Sequence, residues 1–183
     1  DTSLEALCYE GARRRYGEVA PKCDARIQEE LRLIRKHKLS GFFLIYHEIL
    51  KIAREVAIEL GVCDPARALE ENPPGRSRGS SVALLVGYLI GLSHIDPLKY
   101  DLTLERFLHE DLSNVPDVDL DFARDIREGL IERVHRHWGW EHAALTGMFD
   151  TYLIKGAIRD VGKALGLPDE EVGKLAKSVD HHH

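Results

Sequence analysis

A chain of 183 residues with 44% hydrophobic and 31% charged side chains can bury one core of ordinary size, which excludes a disordered tail. No apolar run approaches the roughly 20 residues that span a bilayer, and no basic-then-apolar start resembles a signal peptide, so the sequence reads as soluble and without a membrane partner. The net charge of -6 excludes a protein whose whole surface wraps nucleic acid, because duplex binding depends on neutralising phosphates with Lys and Arg; a local site remains allowed.

Three cysteines, Cys8, Cys23 and Cys63, form no C-x-x-C pair and cannot all be bridged within one chain, which points to a reducing, intracellular compartment. The closing His181-His182-His183 resembles the stub of a purification tag and is set aside. Basic residues cluster at Arg13 to Arg15, at Arg35 to Lys38 and at Arg76 to Arg78, as solvated faces or as contacts.

In chain order, Ile27, Leu31 and Ile34 fall at i, i+4 and i+7, which predicts a helix with one buried stripe, N-capped by Asp24 and ending near residues 38–41. Residues 42–60 open with an unbroken apolar and aromatic run, which predicts a short strand or turn, and then take helical spacing at Ile49, Ile52, Val56 and Leu60. The turn formers Gly61, Asp64-Pro65, Asn72-Pro73-Pro74-Gly75 and Gly79 predict the main loop over 61–79. The apolar stretch from Ser80 to Leu92 suits a buried helix with a Ser-Ser cap.

An acidic, Leu-rich connection then leads to Pro116-Asp117-Val118-Asp119-Leu120-Asp121-Phe122, whose strict alternation is a strand period. Helical spacing returns over 124–138 and ends at Gly139; two further helices, 151–165 and 169–177, are divided by Gly166-Leu167-Pro168.

Two constellations carry chemistry. A period of 2 puts Asp117, Asp119 and Asp121 on one strand face, where like charges repel unless a cation, Arg or Lys neutralises them. Mg2+ supplies that charge and is usually held by one or two carboxylates plus substrate phosphates; the alternative is a solvated strand with an acidic outer face. In Arg78-Gly79-Ser80-Ser81 the glycine lets backbone approach a ligand closely, and free N–H groups at a helix start bind anions; the alternative is simple capping.

A phosphate cradle beside a metal-binding acidic strand is what phosphoryl transfer requires. Arg106 would add a charge-assisted bond to a phosphate, unless it makes a surface ion pair. The cluster from His135 to His142 reads as a helix end and core anchor, because His residues two apart on a helix do not share a face. Lys155, Arg159 and Asp160 lie on a helix at spacings that usually give exposed ion pairs.

Five stretches in order resemble the bacterial C-family DNA polymerases, the family of the DNA polymerase III alpha subunit and its error-prone relatives. They are Arg78-Gly79-Ser80-Ser81, Gly91 to Leu98, Glu105 to Leu108, Pro116 to Phe122, and Ala157 to Gly162. The resemblance covers most of the chain. It implies an α/β (α+β) fold: a helix-rich polymerase palm with a small mixed sheet of the polymerase-beta-like nucleotidyltransferase type, over residues 1–147, and the first thumb helices over 148–180.

In such a palm Asp117 and Asp119 would be two of three catalytic, metal-binding aspartates for two Mg2+ ions. Asp121, Lys155 and Arg159 would support them, and Arg78, Gly79, Ser80 and Arg106 would bind the incoming triphosphate. The implied partners are primer-template DNA and dNTP, with a sliding clamp and other polymerase subunits meeting regions not present here, in the bacterial cytoplasm at the nucleoid. Ser77 stands where the family usually has Gly, Leu84 where it has a small polar residue, and the loop 61–76 is longer than usual. The stretch Leu145-Thr146 with Thr151-Tyr152 looks closer to the error-prone branch.

No counterpart of the third aspartate, the fingers or the phosphoesterase-like domain is found, so the chain is expected to be a fragment of a DNA-directed DNA polymerase, inactive by itself. The rival readings are a self-contained metal-dependent nucleotidyltransferase and a non-catalytic helical interaction module.

Overall fold

A computed structural model of the chain describes residues 2–112, 114–147 and 151–179, in two units, Asp1–Ala143 and Ala144–His183. The tag-like histidines and the expected start of the second segment at 148 lie outside the described residues.

The first unit opens with helices α1 (Thr2–Tyr16), α2 (Pro21–Lys36) and α3 (Ser40–Glu59). Pro21 begins α2, where its missing N–H costs nothing, and Ala20 is the extended cap residue. Asp24 therefore lies inside the first turn instead of capping it; its charge still faces the positive end of the helix. Ile27, Leu31 and Ile34 are buried, as their spacing requires.

No strand or turn precedes the third helix at Phe42: α3 is helical from Ser40. Its Phe43 and Leu50 pack into the main core with residues of α1 and α2, while Ile52, Ala53, Val56 and Ala57 pack with Ile126 and Leu130 in a second cluster. A helix covered on two faces loses its polar stripe, and a short apolar run then has no period to separate it from a buried strand.

The loop after α3 is pinned by arginines: Arg54 donates to the Pro65 carbonyl at 3.1 Å, and Arg15 to the Glu70 carbonyl at 2.5 Å. It ends in β1 (Gly75–Arg78), which pairs antiparallel with β2 (Asp119–Phe122). The helix-rich α/β class holds, but among the described residues the sheet is a two-stranded antiparallel pair, not a mixed sheet. The expected strand 116–122 is confined to its last four residues. The stretch after Gly91 covers the free edge of β1, with the Ser77 N–H donating to the Leu92 carbonyl at 2.7 Å and His94 Nε2 at 3.1 Å from the Gly75 carbonyl.

The apolar stretch 80–92 is not one helix. A 3-10 turn, Gly79–Ala83, is followed by Leu84 in extended conformation (φ -85°, ψ 126°) and then by the short helix α4 (Leu85–Leu89). Buried charge forces the break: the Glu30 carboxylate, wholly buried, accepts the Leu85 and Val86 N–H groups at 2.9 and 2.8 Å, so those amides cannot continue a helix from the turn. Leu84 is buried in the main core. α4 lies against α1 at Gly11, where a Cβ would stand 2.2 Å from the Leu89 carbonyl oxygen, so only glycine permits the approach.

A 3-10 turn (Arg124–Ile126) leads into α5 (Arg127–Trp138), closed at Gly139. His135 is buried, with Nδ1 2.9 Å from the Ile131 carbonyl and its ring 4.0 Å from that of Trp140, the anchoring role expected of that cluster. The second unit consists of α6 (Ile154–Ala164) and α7 (Asp169–Ser178), α6 starting three residues later than the spacing predicts.

Candidate functional site

The strand register builds the acidic face. Arg78 lies opposite Asp119 and Arg76 opposite Asp121, and residues directly opposite in an antiparallel pair share a face. Leu120 and Phe122, on the other face, pack against the main core. The neutralising charge demanded by the aspartate row thus comes from β1: Arg78 Nε stands 3.6 Å from Asp119 Oδ2 and 3.5 Å from Asp121 Oδ1. All three side chains are more than half exposed, so each contact is worth no more than about 1 kcal/mol and is readily exchanged.

Asp117 precedes the strand and is exposed. The phenol of Tyr46, carried by α3, feels the charge of both Asp117 and Asp119. Burial pushes the Tyr46 hydroxyl above its ordinary range, the adjacent Val118 backbone opposes this, and the negative charges of Asp117 and Asp119 add to the rise. Both carboxylates therefore act on one phenol. Tyr46 escaped the sequence reading, and its one signal is a polar-tipped ring within the apolar run at 42–46.

The cradle begins where β1 ends. Gly79, with φ 72°, turns the chain out of the strand in a conformation that costs other residues strain. The expected Ser-Ser cap is absent: the buried Ser81 turns its hydroxyl back to donate to the Arg78 carbonyl at 2.8 Å, and the turn carries no side-chain cap. Ser80 is exposed, and among the described residues its hydroxyl has no hydrogen-bond partner.

Gly79, Ser80, Val82 and Ala83 form one wall of a pocket of about 200 Å³, and Asp101, Leu102, Thr103 and Arg106 form the other. Complete small-molecule pockets start near about 300 Å³, so this one suits the phosphate part of a ligand. Arg106, the exposed last residue of the 3-10 turn Leu104–Arg106, has no carboxylate partner among the described residues, which removes the surface ion pair as the account of it.

The structure thus gathers Arg78, Gly79, Ser80, Arg106, Asp119 and Asp121 along one strand end and the turn that follows. Lys155 and Arg159 stand one helical turn apart on α6, in the second unit.

Among the described residues no three His, Cys, Asp or Glu side chains form a metal-ligand group. Two carboxylates completed by substrate phosphates nonetheless suit Mg2+. The Arg78 guanidinium beside Asp119 and Asp121 already places positive charge on this face, and the exposed Asp117 stands two residues before Asp119.

A family described as the bacterial DNA polymerase III alpha NTPase domain matches residues 2–183. The chain belongs to this family. It is 38% identical over 177 residues to the DNA polymerase III subunit alpha of Halalkalibacterium halodurans and 35% identical over 179 residues to that of Bacillus subtilis. It is 36% identical over 176 residues to the error-prone DNA polymerase of Pseudomonas syringae. These alignments take in 96 to 98% of the chain but only 15 to 16% of each relative, so the NTPase-domain chain spans about a sixth of the length of the curated proteins it matches. No helix among the described residues is long and apolar enough to cross a membrane.

Proposed function

We propose that the chain is the palm portion of a bacterial DNA-directed DNA polymerase, with the first thumb helices, and that it carries half of a nucleotidyl-transfer site. The observation that carries this reading is the β1–β2 register. It sets Asp119 opposite the residue that precedes the Gly79 turn, so the acidic strand and the phosphate-sized pocket adjoin.

The Gly79-Ser80 turn and the Arg106 guanidinium bind the triphosphate of an incoming dNTP, the backbone by close approach and the arginine by charge-assisted hydrogen bonds. Asp117 and Asp119 would hold two Mg2+ ions in part, which would supply charge neutralisation and activation of the primer 3′ hydroxyl. Arg78 leaves the aspartates and turns toward phosphate when nucleotide arrives; its weak, exposed pairing permits that exchange. Asp121 keeps the strand face acidic without ligating, and Lys155 and Arg159 support the site in the complete enzyme.

Primer-template DNA, a sliding clamp and other subunits are partners of the whole protein in the bacterial cytoplasm. The chain alone does not extend a primer, because the third carboxylate comes from elsewhere.

The test is NMR of the isotopically labelled chain titrated with Mn2+ and a dNTP. The expected result is paramagnetic broadening confined to Asp117, Asp119 and their neighbours, lost in D117A, with shifts at Gly79 and Ser80 that R106A suppresses. Absence of both effects overturns the reading. Metal-dependent primer extension by this chain, abolished by D117A, overturns its inactivity alone.

A further inference from the structure

Beneath the triphosphate pocket lies a charged pair that touches no ligand. Glu30 is fully buried in the core, although carboxylates are almost never buried without a partner. Its bonds run to the start of α4 and to a neighbouring arginine: it accepts the Leu85 and Val86 N–H groups at 2.9 and 2.8 Å, and Arg26 Nε donates to it at 2.7 Å. The Arg26 guanidinium then reaches on with Nη2, donating to the Ala83 carbonyl at 3.0 Å and the Leu102 carbonyl at 3.1 Å.

Ala83 belongs to the Gly79-Ser80 wall and Leu102 to the Arg106 wall. One guanidinium therefore ties the two walls together from behind, and the carboxylate beside it holds the chain break that gives the first wall its shape. Neither Arg26 nor Glu30 lines the pocket itself.

We infer that Arg26 and Glu30 are positioning residues of the triphosphate cradle, setting the distance between the Gly79-Ser80 turn and Arg106. The inference rests on the function proposed above. Stability alone is a poor reason for such a pair, because buried ion pairs replaced by packed apolar side chains often leave a protein equally or more stable. Geometry is a better one. With Leu or Met at both positions, the 80–92 stretch is free to continue as the single helix its apolar pattern favours, and nothing bridges Ala83 to Leu102. Burial pushes the Glu30 carboxyl above its ordinary range, and the Val86 amide, Arg26 and the Leu85 amide oppose that rise.

The test uses the whole chain, inorganic triphosphate as the probe in calorimetry, and backbone amide exchange by NMR. E30Q keeps the shape and removes the charge; R26K keeps the charge and removes the planar fork. Each is expected to weaken triphosphate binding roughly tenfold, the scale on which loss of an orienting partner is felt, and to speed exchange at residues 79–86. The salt dependence of binding should stay that of the wild type, since no phosphate contact is lost. R106A, by contrast, should flatten it.

Wild-type affinity in both variants, or a lowered melting temperature with unchanged affinity of the folded chain, overturns the inference and leaves the proposed function standing. Failure of the wild type itself to bind triphosphate overturns the proposed function, and the inference with it. If E30Q does not fold, R26K carries the comparison, since Arg26 is partly exposed at 19%.

Discussion

Gly11→Ala sets a local preference against a packing contact, and the structure decides which wins. In a helix interior alanine is favoured over glycine by about 1 kcal/mol. At Gly11, however, the new Cβ would stand 2.2 Å from the Leu89 carbonyl oxygen and 3.0 Å from the carbonyl carbon. Both are backbone atoms and cannot rotate away, so α1 and α4 must part by about 1 Å to reach an ordinary contact. Overpacking of this kind costs about 1 to 3 kcal/mol, and a rigid backbone neighbour puts the cost toward the top of that range.

The net expectation is a loss of about 1 to 2 kcal/mol, or about 3 to 6 °C in the melting temperature of the first unit. Thermal unfolding followed by far-ultraviolet circular dichroism measures it, with Gly41→Ala as the control. Gly41 is in the first turn of α3, and nothing lies within 4 Å of its added Cβ, so that variant should be as stable as the wild type or slightly more so. A Gly11→Ala protein as stable as Gly41→Ala would refute the close approach of α1 and α4. Because α4 follows directly on the cradle turn, Gly11→Ala should also perturb the Gly79 and Ser80 amide resonances.

Three further outcomes are expected. Glu110 is bound by Lys36 and Arg32, which hold its carboxyl down at about 2, so its stabilising contribution is present above the ordinary carboxylate range and lost as pH falls toward 2. A carboxyl-detected NMR titration should show this, with K36A moving the midpoint up toward 4.5. The Ser77 hydroxyl is buried without a partner among the described residues, so Ser77→Ala should raise stability by about 1 kcal/mol in urea unfolding; destabilisation would mean that the hydroxyl is satisfied after all. Burial pushes the thiols of Cys8 and Cys23 up, whereas Cys63 is partly exposed; iodoacetamide under native conditions should therefore label Cys63 first, as peptide mass mapping would show, and prior modification of Cys8 would contradict the packing of α1.

Local spacing in the amino-acid sequence determined a good deal of this protein. The stripe of Ile27, Leu31 and Ile34 placed α2, Gly139 ended α5, Gly166-Leu167-Pro168 divided α6 from α7, and the alternation from Asp117 to Phe122 named the acidic face. Each of these is a periodicity or a backbone preference, written within a few residues. The motifs by themselves also point to the polymerase family.

Tertiary structure alone decided the rest. Whether Arg78 would neutralise the aspartates depended on a register between strands about forty residues apart, and whether 42–46 was strand or helix depended on α3 being covered on two sides. The break at Leu84 was invisible locally, because an apolar run favours continuous helix; it exists because Glu30, 55 residues away from Leu85, brings a buried charge to those amides. Side-chain period records which face a residue presents, not what that face will meet, and the shape of this site was set by what met it.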